Sequence, residues 1–154
     1  MASNIDHLIG NCTQGNPNAA KSFLEFREDG IESTFRFIEA GDPTIPEIGD
    51  GITYTANLFD SNNVFIGTKD ISLVFTKQLG NGDFIANLEE TISLHDGQIY
   101  TQGTINATAF EQLKAQKVDI IGGTGVYEGV RGKETITQLD PNIFDEASVS
   151  LKIN

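Results

Sequence analysis

FIANLEETISLHDGQIYTQGTINA, residues 84–107, is the stretch that decides the fold. Two alternating runs flank His95-Asp96-Gly97. In the first, Phe84, Ala86, Leu88, Glu90, Ile92 and Leu94 share one face. Alternation with period two is the pattern of a strand buried on one side. Asp-Gly between two such runs is a hairpin signal, because glycine supplies the positive φ of the tight turn.

The same pattern recurs on both sides. SFLEFRE (22–28) and IESTFRFIEA (31–40) alternate and are joined by Glu28-Asp29-Gly30, a second hairpin signal. GDPTIPEIGDG (41–51) reads as a loop, since its prolines and glycines exclude regular structure. ITYTANLFD (52–60) is a further strand, and VFIGTKDISLVFTKQ (64–78) a long one, bent near Gly67. ATAFEQLKAQ (107–116) is the one helical segment, with Ala109, Leu113 and Gln116 at helical spacing. KVDIIGG, KETITQLD and ASVSLKIN close the chain as strands. Eight or nine strands joined mostly by hairpins predict an all-β sandwich or closed barrel. Residues 1–20, polar and rich in Asn, Gly and Ala, read as an N-terminal arm, and 21–154 as a single domain.

Composition narrows the partners. The net charge of −12 opposes nucleic-acid phosphates and an anionic membrane surface, so neither is expected as a partner. Cys12 is the single cysteine, which rules out an internal disulfide and fits a reducing compartment. MASNIDHLIGNCTQG lacks a basic segment followed by an apolar core, so a cytoplasmic location is expected. No His or Cys spacing suits a metal, no G-x-S-x-G marks a serine nucleophile, and no cofactor is called for.

IIGGTGVYEGVRGKET (120–135) holds five glycines within eleven positions, Gly122, Gly123, Gly125, Gly129 and Gly132. It fails both phosphate-binding patterns. Gly123-Thr124-Gly125 lacks the third glycine of a dinucleotide fingerprint, and Gly132-Lys133 is followed by Glu134 where a P-loop needs Ser or Thr. The remaining reading is a tight connection between strands, with several residues at positive φ.

Charge on apolar faces supplies the candidate chemistry. Glu25 and Arg27 alternate with Leu24 and Phe26, and Glu90 sits among Phe84, Ala86, Leu88, Ile92 and Leu94. A carboxylate buried among apolar groups costs several kcal/mol unless paired or protonated. Such a group either has a raised pKa, suited to acid–base work, or is paired with an arginine on a partly buried face.

With these elements placed, the chain resembles the allene oxide cyclase and dirigent barrels. The resemblance rests on ITYTANLFD, IGTKDISLVF, the Gln102-Gly103 strand and, above all, Ile-x-Gly-Gly-Thr-Gly-x-Tyr-x-Gly-x-x-Gly at 120–132. It implies an eight-stranded antiparallel barrel with an apolar lumen and one short helical segment, in a homo-oligomer, trimer or dimer. It also implies a hydrophobic small-molecule substrate. The first strand of plant cyclases carries a lumenal Glu, which falls on Glu25, followed by an Asn that is here Arg27. A second lumenal Asn falls on Ala56, an aromatic lining residue on Tyr54, and a lumenal Cys near Leu73. Losing both Asn residues argues against allene oxide chemistry itself.

The function so implied is a cofactor-independent cyclase or isomerase. It would fold a polyene or polyketide-like intermediate in the lumen and control its cyclisation, as in a [4+2] cycloaddition. Glu25, Arg27 and Glu90 are the candidate catalytic groups. Phe35, Phe37, Tyr54, Leu73, Phe75 and Tyr100 are the candidate lining. The alternative is a barrel that binds a lipophilic ligand, or acts as a dirigent protein, without catalysis.

Overall fold

The computed structural model describes residues 22–154, so the N-terminal arm, His7 and Cys12 lie outside the described residues. Nine strands and one helix follow in chain order. They are β1 (Ser22–Gly30), β2 (Arg36–Ile38), β3 (Gly51–Phe59), β4 (Phe65–Gln78), β5 (Phe84–Leu94), β6 (Gly97–Asn106), α1 (Ala107–Glu111), β7 (Gln116–Gly123), β8 (Gly132–Asp140) and β9 (Ile143–Ile153). Each strand from β3 to β9 pairs antiparallel with the next. β1 pairs with β9 on one side and with β3 on the other, which closes an eight-stranded barrel. β2 is a short ninth strand on the edge of β3.

The closure explains where β2 differs from expectation. A full strand over 31–40 is not formed. β1 places Arg27–Gly30 against Ala56–Phe59, leaving only Gly51–Thr53 for β2. Residues 32–34 turn instead as a single 3₁₀ turn, and the alternating aromatics of this segment become part of the barrel rim. α1 is also shorter than its pattern predicts, five residues rather than ten. Asn106 caps it by accepting from the Ala109 N–H, and Leu113 at φ 63° stops it.

The inward faces fill one end of the barrel. Leu24 and Phe26 of β1 lie opposite Leu151 and Val149 of β9, all four buried. Ile92, Ile99, Ile120 and Tyr127 complete an apolar plug at that end. The glycine-rich segment seals it. Gly125 (φ 61°) and Gly129 (φ 78°) take left-handed conformations between β7 and β8. The Thr124 and Val126 N–H groups donate to the Gln98 and Asp96 carbonyls of the β5–β6 hairpin, at 2.9 and 3.2 Å. A Cβ at Gly125 would stand 2.3 Å from the Asp96 carbonyl oxygen, so only glycine allows this seat. β4 bends as anticipated near Gly67, where its register against β3 shifts and a Cβ would lie 2.1 Å from the Ser93 oxygen.

Candidate active site

The other end of the barrel is open. A cavity of about 410 Å³ enters there, between the β2–β3 side, α1 and the ends of β4, β8 and β9. Its wall is apolar: Ile52, Tyr54, Ile71, Leu73, Phe75 and Leu88 face into it. α1 contributes Ala107 and Phe110, and the loop before β3 contributes Pro43, Ile45 and Pro46. That loop is pinned at its base. Asp50 accepts from the Ala40 and Glu47 N–H groups at 2.8 and 2.9 Å, and its own carbonyl accepts from the Phe75 N–H. Three aromatic rings form one rim, with Phe35 5.3 Å from Tyr54 and 5.4 Å from Phe144, centroid to centroid.

The floor is polar, and beneath it lies a buried charge cluster. Lys69 Nζ sits 2.7 Å from Glu90 Oε2, 2.9 Å from Glu28 Oε2 and 3.0 Å from Glu134 Oε2. All four side chains are within a few per cent of complete burial. The barrel geometry assembles them. Each stands on the inward face of a different strand, β4, β5, β1 and β8, at one level between plug and cavity. Glu28 and Glu90 reach the cavity, whereas Lys69 and Glu134 do not line it. Thr101 of β6 donates to Glu90 Oε1 at 2.9 Å.

One ammonium cannot neutralise three carboxylates. With all three ionised the cluster would hold a net charge of −2 out of water, and desolvation costs several kcal/mol per ion. Protons are therefore retained. Burial, with the neighbouring Glu134 second, pushes the Glu90 carboxyl well above its ordinary value, against the pull of Lys69. Burial also raises Glu28, opposed by Lys69 and reinforced by Glu90. The surrounding carboxylates hold Lys69 charged, its pKa well above normal despite the desolvation that would lower it. Burial raises Tyr54 well above a free phenol, so its hydroxyl stays protonated. The cavity thus presents carboxyl groups that hold their protons above the ordinary carboxylate range, beside an apolar volume.

Of the residues singled out in sequence, Glu90, Tyr54, Leu73, Phe75 and Phe37 line the cavity. Phe35 stands behind the wall, braced on Tyr54 and Phe144. Phe35 and three further placements are corrected. Glu25 is exposed on the outward face of β1, and Arg27 shares that face, stacked 4.7 Å over the Phe59 ring and bonded to Asn63 Oδ1. The physical reason is the β1–β9 register, which turns Leu24, Phe26 and Glu28 inward. Tyr100 also faces outward; its hydroxyl donates to Gln98 Oε1 at 3.0 Å, and it borders a polar concavity with Asp70 and Glu89.

Glu28, Lys69 and Glu134 escaped the sequence reading. For Lys69 and Glu134 the signal existed. Lys69 alternates with Ile71, Leu73 and Phe75, and Glu134 with Ile136, as Glu90 does within its own strand. Glu28 was hidden by Asp29-Gly30, which looks like a turn but continues β1.

A family model described as "Allene oxide cyclase barrel like domain" matches residues 35–151. None of the curated protein sequences matches the chain. Among solved structures, a pyocyanin demethylase superposes with a TM-score of 0.71 at 22% identity, over 86% of this chain and 99% of that one. The Diels Alderase AbmU from Streptomyces koyangensis superposes at 0.70 with 16% identity, over 98% of this chain and 68% of that one. A pterocarpan synthase dirigent protein does so at 0.63 with 15% identity, over 86% and 82%. At these identities the property held in common is the fold.

Proposed function

The chain belongs to the allene oxide cyclase barrel-like family, and from that premise we propose that it is a cofactor-independent cyclase or isomerase acting on a hydrophobic intermediate. The observation that carries this reading is a one-ended apolar cavity whose floor presents the carboxyls of Glu28 and Glu90, both with raised pKa.

The mechanism has two parts. The wall of Ile52, Tyr54, Leu73, Phe75 and Leu88 restricts a flexible substrate to a folded shape. Orientation of this kind lowers a barrier by several kcal/mol when the reacting atoms are held in contact. The floor then supplies the polar step. A protonated carboxyl donates to the substrate atom where electron density develops, and the resulting carboxylate can recover the proton as the product forms. Lys69, with Glu134 beneath, fixes the position of both carboxyls and keeps a counter-charge in place while a proton is away. The neighbours named as Diels Alderase and dirigent protein support a cyclase of this general kind, and the substrate here is proposed from the cavity alone.

A cyclase or isomerase conserves mass, which gives the experiment. Deleting the gene in its native host should remove one cyclised product and accumulate a precursor of identical mass. Adding the purified protein to that extract should convert it. Recovery of the precursor bound and unaltered would instead fit the carrier alternative.

The expected homo-oligomer remains part of the proposal. Exposed Phe23, Phe65 and Ile121 on the outside of the barrel support it, and sedimentation equilibrium is its test. A cytoplasmic location is likewise proposed; among the described residues no helix is long and apolar enough to cross a membrane.

A further inference from the structure

The charged groups that line the cavity have one sign. They are Glu28, Glu39, Asp50, Glu90 and Glu111, and among the described residues no Lys, Arg or His joins them. Lys69 lies below the floor with its side chain fully buried, where the three carboxyls around it already share it.

The uncharged polar group at the floor also accepts. Gln138 is 2% exposed; its Nε2 donates to the Asp140 carbonyl at 2.7 Å, which fixes the orientation of the amide. Gln138 lines the cavity, and its Oε1 is buried with no hydrogen-bond partner among the described residues. A buried acceptor without a partner is costly, so it points to a donor that arrives with the ligand. Glu28 gives Oε2 to Lys69, and its carboxyl makes no further hydrogen bond among the described residues. Above this floor the wall carries the rings of Phe37, Tyr54, Phe75, Phe110 and Phe144, whose faces attract cations.

We propose that the cavity selects an apolar molecule bearing one positively charged or protonatable nitrogen, seated with that nitrogen toward Glu28, Glu90 and Gln138. This rests on the cavity being the substrate site, as proposed above, and names the substrate class it takes. The seated cation lets Glu28 or Glu90 ionise without adding to the net charge of the cluster. Its N–H group fills the vacant Gln138 acceptor, and its apolar body covers the aromatic wall. A carboxylate, phosphate or sulfate in the same place would meet acidic groups and no cation able to reach it. The net charge of −12 acts in the same direction at long range, drawing cations toward the molecule.

Three probes of nearly one shape test the idea by calorimetry at neutral pH and 0.15 M salt: 1-naphthylmethylamine, 1-naphthylmethanol and 1-naphthoate. The amine should bind about tenfold tighter than the alcohol, with the naphthoate weakest. In Glu28→Gln and Glu90→Gln the alcohol should still bind measurably, while the preference for the amine over it falls to about threefold or less. The alcohol serves in each variant as the control for an intact cavity. Naphthoate binding as tightly as the amine, or a preference that survives both substitutions, would overturn the proposal. Equal binding of all three would remove charge selection and leave the cavity as a ligand site. Binding of none would remove both readings together.

Discussion

Lys69 and Glu90 meet diagonally across β4 and β5, their charged atoms 2.7 Å apart, while each faces an isoleucine directly opposite, Ile92 and Ile71 respectively. The diagonal is within reach of long side chains. It lets a single lysine touch Glu90 on the next strand and still reach Glu28 and Glu134 across the barrel. The cluster is thus a cross-brace of the barrel as well as the underside of the cavity floor.

Removing the hub of that brace should be severe. Lys69→Met leaves three buried carboxyls without a counter-charge, and breaking a buried pair from one side costs about 3–5 kcal/mol. Urea unfolding should show a loss of that size. Glu134→Gln, which keeps the shape and leaves two carboxyls beside Lys69, should cost clearly less.

The pH dependence has a definite sign. Glu90 and Glu28 have folded-state pKa values raised above the ordinary 4.5, so the fold binds these protons more tightly than the unfolded chain. Their contribution to stability is fully present below 4.5 and is lost as pH rises through the raised values. Lys69 adds a second loss in strongly alkaline solution, beyond its ordinary 10.5. The titratable groups that face Glu90 are Lys69, Glu134, Glu28 and the Tyr54 hydroxyl, from four other strands. The melting temperature should therefore fall as pH rises above 4.5, and Glu90→Gln should flatten the fall. An identical slope in that variant would show that other carboxyls control it.

Activity should divide the two faces of β1. Glu28→Gln and Glu90→Gln are expected to slow turnover of the native substrate about 10²-fold, the usual scale for losing a proton-transfer group. Glu25→Gln and Arg27→Met should leave the rate within about twofold, because both side chains lie outside the barrel.

Filling the cavity should separate binding from folding. Leu73→Trp projects extra volume into open space between Ile52 and Leu88, its register partners on β3 and β5. Ligand binding by calorimetry should disappear, with the melting temperature little changed. The seal behaves oppositely. Gly125→Ala strains a left-handed residue and drives a Cβ against the Asp96 carbonyl, costing about 1–3 kcal/mol. Its ligand affinity should match that of the parent protein.

The fold was readable in sequence because hairpin chemistry and alternation are local. The residues 84–94 form β5 with the boundaries the pattern suggests, and the chain turns one residue earlier than Asp96-Gly97 suggests, at His95-Asp96, with Gly97 opening β6. The site was only half readable. Alternation says that two faces differ without saying which one is inside. On β1, Phe23, Glu25 and Arg27 oppose Leu24, Phe26 and Glu28, and both faces carry aromatic and charged groups. The choice was made by register against β9, where Leu24 meets Leu151. Glu90 was identified from a single strand, whereas its partners come from strands far away in sequence. Their convergence depends on barrel closure by β1 and β3.

Because Tyr127 and the aliphatic plug shut one end, the barrel is a blind well, not a tunnel. Whatever enters past the aromatic rim must leave past it again. A cavity of about 410 Å³ holds one such molecule at a time, so a finished product blocks the next substrate until it departs. Competitive inhibition by product follows, with escape over the rim as the slow step whenever the chemistry below is fast.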